Sequence, residues 1–153
     1  MSDIGFKDLH CLIVDDEPAF LHTFEAMLRA VGVGKVTRGQ TGSDALMALV
    51  NAPRPVDVIM CDLNMPYGNG LQLLKAIRTG QVKTQRLDTC FILVSSLASP
   101  EPVRTAAGLD VSGYLIKPLS TEKVRTAIVK GRSKHFAVDP RRYSQVFVTE
   151  SVL

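Results

Sequence analysis

CLIVDDE, residues 11–17, sets four apolar side chains (Cys11–Val14) directly before three acids, Asp15, Asp16 and Glu17. An apolar run without alternation suits a strand buried on both faces of a parallel sheet. The pattern returns as VIMC (Val58–Cys61), FILV (Phe91–Val94) and YLI (Tyr114–Ile116). KVTR (Lys35–Arg38) is a more polar fifth run and reads as an edge strand. Helical patterns lie between and after the runs. Residues 18–31 gather Phe20, Leu21, Phe24, Met27, Leu28 and Val31 on one face, with Pro18 in the first turn and Gly32 as the stop. Ser43–Asn51, Asn69–Thr79 and a short Pro102–Gly108 follow. Ser120–Lys134 is the fifth helix, with Ser120 as its N-cap.

Strand and helix therefore alternate five times, which predicts an open α/β sandwich with right-handed crossovers. The first, third and fourth runs are the most apolar and belong in the centre. This places the sheet in the flavodoxin-like, doubly wound order 2-1-3-4-5, with five helices and a switch point between strands 1 and 3.

The chain has 153 residues, 46% hydrophobic and 22% charged, which fits one folded domain and excludes wholesale disorder. No apolar run approaches a membrane span, and the N-terminus lacks the order of a secretory signal. A cytoplasmic protein is the expectation. Cys11, Cys61 and Cys90 are odd in number, lack CxxC spacing and sit inside strand-like runs, so they read as buried free thiols. Residues 1–129 carry 13 basic and 13 acidic side chains, so the net charge of +3 resides entirely in residues 130–153. The balanced body gives no sign of nucleic-acid binding.

The polar residues after each central strand carry the chemistry. Strand 1 ends in Asp15-Asp16-Glu17, strand 3 in Asp62, strand 4 in Ser95-Ser96, strand 5 in Lys117-Pro118. In a parallel sheet these ends share one rim, so Asp15, Asp16 and Asp62 converge at the switch-point crevice beside a hydroxyl and an ammonium. Clustered carboxylates favour a hard cation, and Mg²⁺ needs only one or two of them plus phosphate oxygens. An Asp beside it can act as a nucleophile toward phosphorus. Singly, each residue has a plainer reading as a cap or loop residue; four such positions at one end of four strands do not.

LIVDDE (Leu12–Glu17), DLNMP (Asp62–Pro66) followed by Gly70, Ser95 after an apolar strand, and GYLIKP (Gly113–Pro118) together resemble the receiver domain of two-component response regulators, in particular the single-domain chemotaxis-type receivers. The resemblance covers about residues 8–130. It implies that Asp62 is the phosphoacceptor. Asp16 binds Mg²⁺ directly, Asp15 mainly through water, and Asp62 and the backbone carbonyl of Asn64 complete the metal site. Lys117 pairs with the acceptor or its phosphate, Ser95 is the switch hydroxyl, Tyr114 is the aromatic that follows it, and Lys117-Pro118 is cis. Implied partners are a histidine kinase or histidine phosphotransfer protein and a downstream protein target. The chain would be no enzyme, only an acceptor that assists its own phosphorylation and dephosphorylation. Departures from the pattern are the long polar connection Gly80–Thr89, Ser96 and Leu97 after the switch position, and Pro100 and Pro102 around a displaced or short fourth helix.

The boundaries are a receiver domain over 8–134 and a C-terminal extension over 135–153. In the extension, Asp139-Pro140 predicts a short helix over 140–147, packing Phe136, Val138, Tyr143, Val146 and Phe147 on the domain or on a second copy. The alternative adds Val146–Thr149 to a sheet edge. A homodimer through the fourth and fifth helices or the tail stays open. Met1 and the unusual ending suggest a complete, stand-alone receiver; the alternative is a fragment, or a pseudo-receiver that binds protein constitutively. A flavodoxin would not place three acids where FMN phosphate sits. A haloacid-dehalogenase-like phosphatase needs an Asp where Asn64 stands. A DNA-binding regulator needs an effector domain that this sequence lacks. No nucleic acid and no membrane are expected as partners.

Overall fold

β1 (His10–Val14) pairs in parallel with β2 (Lys35–Gly39) on one side and β3 (Val58–Asp62) on the other. β4 (Cys90–Ser95) lies beside β3, and β5 (Gly113–Ile116) closes the far edge. The order 2-1-3-4-5 is the expected doubly wound, flavodoxin-like sheet. The computed structural model of the chain describes residues 5–65 and 69–149; Met1, Pro66 and residues 150–153 of the extension lie outside them.

Alternate strand residues point to opposite faces, and both faces are dry. Cys11, Ile13, Met60, Ile92 and Val94 pack with Leu21, Phe24 and Leu28 of α1 (Pro18–Val31) and with Val124 and Ile128 of α5 (Thr121–Ser133). Leu12, Val14, Ile59, Cys61, Phe91 and Leu93 pack on the other side, beneath α2 (Gly42–Asn51), α3 (Gly70–Arg78) and α4 (Pro100–Gly108). Two-sided burial is why these runs lack alternation. β2 and β5 are partly exposed, as edge strands should be. All three cysteines are buried and free, and burial pushes the Cys11 and Cys90 thiols up to about 12 and about 11.

Local signals set most helix ends. Gly32 closes α1 in the left-handed region, at φ 108°. Thr41 caps α2 through the Asp44 amide, Asn69 and Gln72 form a capping box on α3, and Ser120 caps α5 through the Lys123 amide. α4 starts at Pro100, two residues before the expected Pro102. Both prolines fit inside its first turn, because the first amides of a helix have no intrahelical acceptor. A sixth helix, α6 (Pro140–Ser144), lies in the extension, where a short helix was expected beside the five of the receiver. Among the described residues no helix is long and apolar enough to cross a membrane.

Two features carry detail that the sequence reading left open. The connection after α3 is polar yet partly buried, because Arg78 is fully buried beneath it. Its guanidinium donates to the carbonyls of Leu109 (3.0 Å), Leu87 (2.6 Å), Thr89 (2.9 Å) and Asp110 (2.8 Å). It also lies 4.9 Å from the centroid of the Phe136 ring. Gln85 adds bonds to both backbone groups of Val56.

The second is the extension, which packs on its own domain. Tyr143 is 0% exposed and its hydroxyl donates to Asp110 at 2.6 Å. Arg142 pairs with the same carboxylate. Helix α6 ends at Ser144, short of the expected residue 147, and Val146–Thr149 adds to no sheet edge. Val138 and Phe147 stay exposed.

Replacing the Arg78 fork with a single ammonium leaves several buried carbonyls without donors. Arg78→Lys should therefore lower the unfolding free energy by about 2–4 kcal/mol, measured by urea denaturation. A loss under about 1 kcal/mol would show that the fork is not a structural centre.

Candidate functional site

The parallel strands deliver Asp15, Asp62, Ser95 and Lys117 to one rim of the sheet. Asp15 follows β1 and is 1% exposed; its Oδ1 accepts the Glu17 amide at 2.9 Å. Asp16 is exposed beside it. Asp62 ends β3 and is 7% exposed. Carboxylate oxygens of Asp15, Asp16 and Asp62 all lie within 4.8 Å of one another.

Gly70 makes this geometry tight. A Cβ there would come within 2.6 Å of the Asp62 carbonyl oxygen and 2.7 Å of Leu93. Its amide donates to the Leu63 carbonyl at 3.1 Å. The start of α3 thus abuts the backbone that carries Asp62.

Lys117 follows β5 and precedes a cis bond to Pro118. Its Nζ is 2.8 Å from Asp15 Oδ2 and 3.4 Å from Asp62 Oδ1. It also lies 4.1 Å from the centroid of the Phe20 ring. Burial disfavours the ammonium, but Asp15 and Asp62 outweigh it and raise its pKa.

Asp62 is the strained member of the group. Burial raises its carboxyl first, Asp15 adds to this and Asp16 adds less, while Lys117 pulls the other way; the result is about 6. A hard divalent cation answers this excess of negative charge, and three carboxylates from two adjacent loops are the oxygen donors it prefers. The residues present therefore fit Mg²⁺. Asn64, two residues past Asp62, is exposed.

Ser95 is buried at the end of β4, and its Oγ accepts the Leu97 amide at 3.2 Å. Tyr114 lies on β5, paired in register with Leu93. Its hydroxyl is buried without a hydrogen-bond partner among the described residues. Burial raises its pKa, with Ser95 and Asp62 as the neighbouring polar groups.

The structure thus gathers Asp15, Asp16, Asp62, Lys117 and Ser95, with Tyr114 adjoining. Two contributors escaped the sequence reading. Phe20 has the spacing of a core residue of α1, yet it is half-buried and faces Lys117. Its place five residues after Asp15, in the first turn of the helix above the rim, was the available signal. Asn69 reads as an N-cap, but its amide also donates to the Thr149 carbonyl of the extension at 3.0 Å. Eighty residues separate those two groups, so no local pattern announces the bond.

Comparison with known proteins points the same way. The family model described as the response regulator receiver domain matches residues 11–129. The Escherichia coli K12 transcriptional regulatory protein DcuR is 25% identical over 88% of this chain, and the match covers 55% of DcuR. The chain spans about half the length of such curated relatives. The Vibrio cholerae chemotaxis protein CheY4 is 25% identical, with a TM-score of 0.69 over 80% of this chain and 97% of that one. The receiver domain of the Pseudomonas aeruginosa sensor histidine kinase PA1611 shares the fold. It is 21% identical, with a TM-score of 0.69 over 82% and 98% of the two chains, and that structure holds a magnesium ion in its active-site cleft.

The raised Asp62 carboxyl has a measurable consequence in chelator-treated protein. Between about pH 4 and pH 6 the folded state holds a proton that the unfolded carboxyl has released. This site's contribution to stability therefore falls as pH rises through that window and stays low above it. Asp62→Asn should stabilise the metal-free protein at pH 7.5 by on the order of 2–3 kcal/mol relative to its effect at pH 3.5. A pH-independent difference between the two proteins in urea denaturation would contradict the strained carboxylate.

Proposed function

The chain belongs to the response regulator receiver domain family, and from that premise we propose that Asp62 accepts a phosphoryl group from a histidine kinase or histidine phosphotransfer protein. The observation that carries this reading is the convergence of three carboxylates, within 4.8 Å of one another, beside the Lys117 ammonium. An Asp62 carboxylate oxygen attacks phosphorus while the bond from phosphorus to the donor histidine nitrogen breaks. The electron pair leaves with that nitrogen, and an acyl phosphate forms. Asp62, Asp16 and the Asn64 carbonyl would hold Mg²⁺, with Asp15 acting mainly through water. When bound, the ion neutralises charge on the phosphoryl oxygens. Lys117 stays within reach of both Asp15 and Asp62, so it orients the acceptor and meets the phosphoryl oxygens.

Two observations support Ser95 and Tyr114 as the switch. The Ser95 hydroxyl accepts the Leu97 amide, and the buried Tyr114 hydroxyl beside it makes no hydrogen bond of good geometry among the described residues. A buried hydroxyl without a good hydrogen bond costs free energy, which a rearrangement that re-pairs it recovers. Phosphoryl oxygens would draw Ser95 inward, and Tyr114 would follow. Output is then phosphorylation-dependent binding of a downstream protein in the cytoplasm. The chain acts as an acceptor that assists its own phosphorylation and dephosphorylation rather than as an enzyme on other substrates.

A small phosphodonor with Mg²⁺ should label the protein, and Asp62→Asn should abolish the label. Undiminished, Mg²⁺-independent labelling of that variant would overturn the assignment. Mg²⁺ should raise the melting temperature, and Asp16→Ala should remove most of the increment. Ser95→Ala should keep the label while weakening its coupling to partner binding.

A further inference from the structure

The described part of the C-terminal extension lies along the outside of α3 and α4 and reaches Asn69, the N-cap of α3. At its lower end Arg142 donates to the Gly108 carbonyl and pairs with Asp110, and Tyr143 is buried against Asp110. Midway, Val146 packs within 3.5 Å of the Cβ position of Gly108, and Lys75 Nζ donates to the Val146 carbonyl at 2.7 Å. At the upper end the Asn69 side-chain amide donates to the Thr149 carbonyl. The segment 140–149 therefore fills a groove between two helices from the foot of α4 to the N-cap of α3.

We propose that residues 140–149 form a latch over the α3–α4 groove whose seating is coupled to phosphoryl occupancy of Asp62. The proposal rests on the receiver reading above. The coupling path is short. Thr149 is bonded to Asn69, the adjacent Gly70 amide is bonded to the Leu63 carbonyl, and Gly70 leaves no room even for a Cβ against the Asp62 carbonyl. Asp62 is almost fully buried and its carbonyl abuts Gly70, so a displacement of its backbone on phosphorylation passes to the start of α3. The same displacement moves the N-cap that holds the end of the latch.

The hold is also uneven, as a releasable element requires. Tyr143 is the one fully buried side chain of the described part of the latch. Phe147 is 79% exposed, and the upper half is held by two hydrogen bonds that water can replace and by the partly buried Val146 and Val148. Linkage makes the effect reciprocal: the factor by which a bound phosphoryl group weakens the seating of the latch is the factor by which release of the latch raises affinity for that group.

The test is hydrogen exchange on the full chain with Mg²⁺, with and without beryllofluoride as the phosphoryl analogue. The amides of Tyr143, Gln145 and Val146, which donate to Asp139, Arg142 and Tyr143, should exchange about tenfold faster when beryllofluoride is bound. Asn69→Ser keeps an N-cap oxygen but removes the amide that holds Thr149, and Tyr143→Phe removes only the bond to Asp110. Either should raise beryllofluoride affinity about fivefold. If beryllofluoride protects the Asp62 and Ser95 region while exchange at 143–146 and the affinities of both variants stay unchanged, the latch is overturned and the receiver reading stands. If beryllofluoride does not bind and no phosphodonor labels Asp62, the receiver reading fails and takes the latch with it.

Discussion

One ammonium, Lys117 Nζ, sits between two buried carboxylates that arrive on different strands, 2.8 Å from Asp15 and 3.4 Å from Asp62. Neither carboxylate tolerates burial alone, and the ammonium does not tolerate it without them. Their coexistence requires β1, β3 and β5 to end at one level, which the parallel register enforces. It requires Gly70 beneath Asp62, because any larger residue would push α3 away. It also explains Phe20, whose ring face lies against the same ammonium and shields it from solvent. One cation for three acids still leaves net negative charge. Burial first, and that residual charge after it, raise Asp62 to about 6, and the charge suits the crevice to a divalent ion.

A second charged centre organises the opposite end of the molecule. Arg78 ends α3, turns inward and satisfies four carbonyls that would otherwise be buried without donors. Those carbonyls belong to the connection before β4 and to the turn after α4, so one side chain fixes both. Phe136 stacks on the same guanidinium and brings the extension onto the domain. Asp110, in the turn that Arg78 holds, then receives Arg142 and Tyr143. Helix α3 therefore joins the two centres: its first residue abuts Asp62, and its last residue anchors the region where the extension docks.

Much of this molecule was legible before any coordinates. Continuous apolar runs identified the buried parallel strands, and their differing polarity ordered the sheet. Pro18, Gly32 and Ser120 marked helix ends because capping is a local property of the backbone. The convergence of Asp15, Asp16, Asp62, Ser95 and Lys117 followed from strand direction alone, since every parallel strand ends on the same rim. The hidden parts share one physical character. Arg78 was unreadable because an arginine in the last turn of a helix ordinarily faces water, and only its distance to four carbonyls shows otherwise. The start of α4 was misplaced because a proline normally breaks a helix, while the first turn tolerates two. The extension presented an apolar set and a capping pair, which foretold a helix but not its seat. That seat depends on Asp110, Lys75 and Asn69, which lie from 33 to 80 residues away along the chain. Period, capping and strand order are written in neighbouring residues, so the sequence by itself determined the sheet and its acidic rim. Contacts between distant groups depend on shape and distance, so only the tertiary structure decided where Arg78, Phe20 and the extension belong.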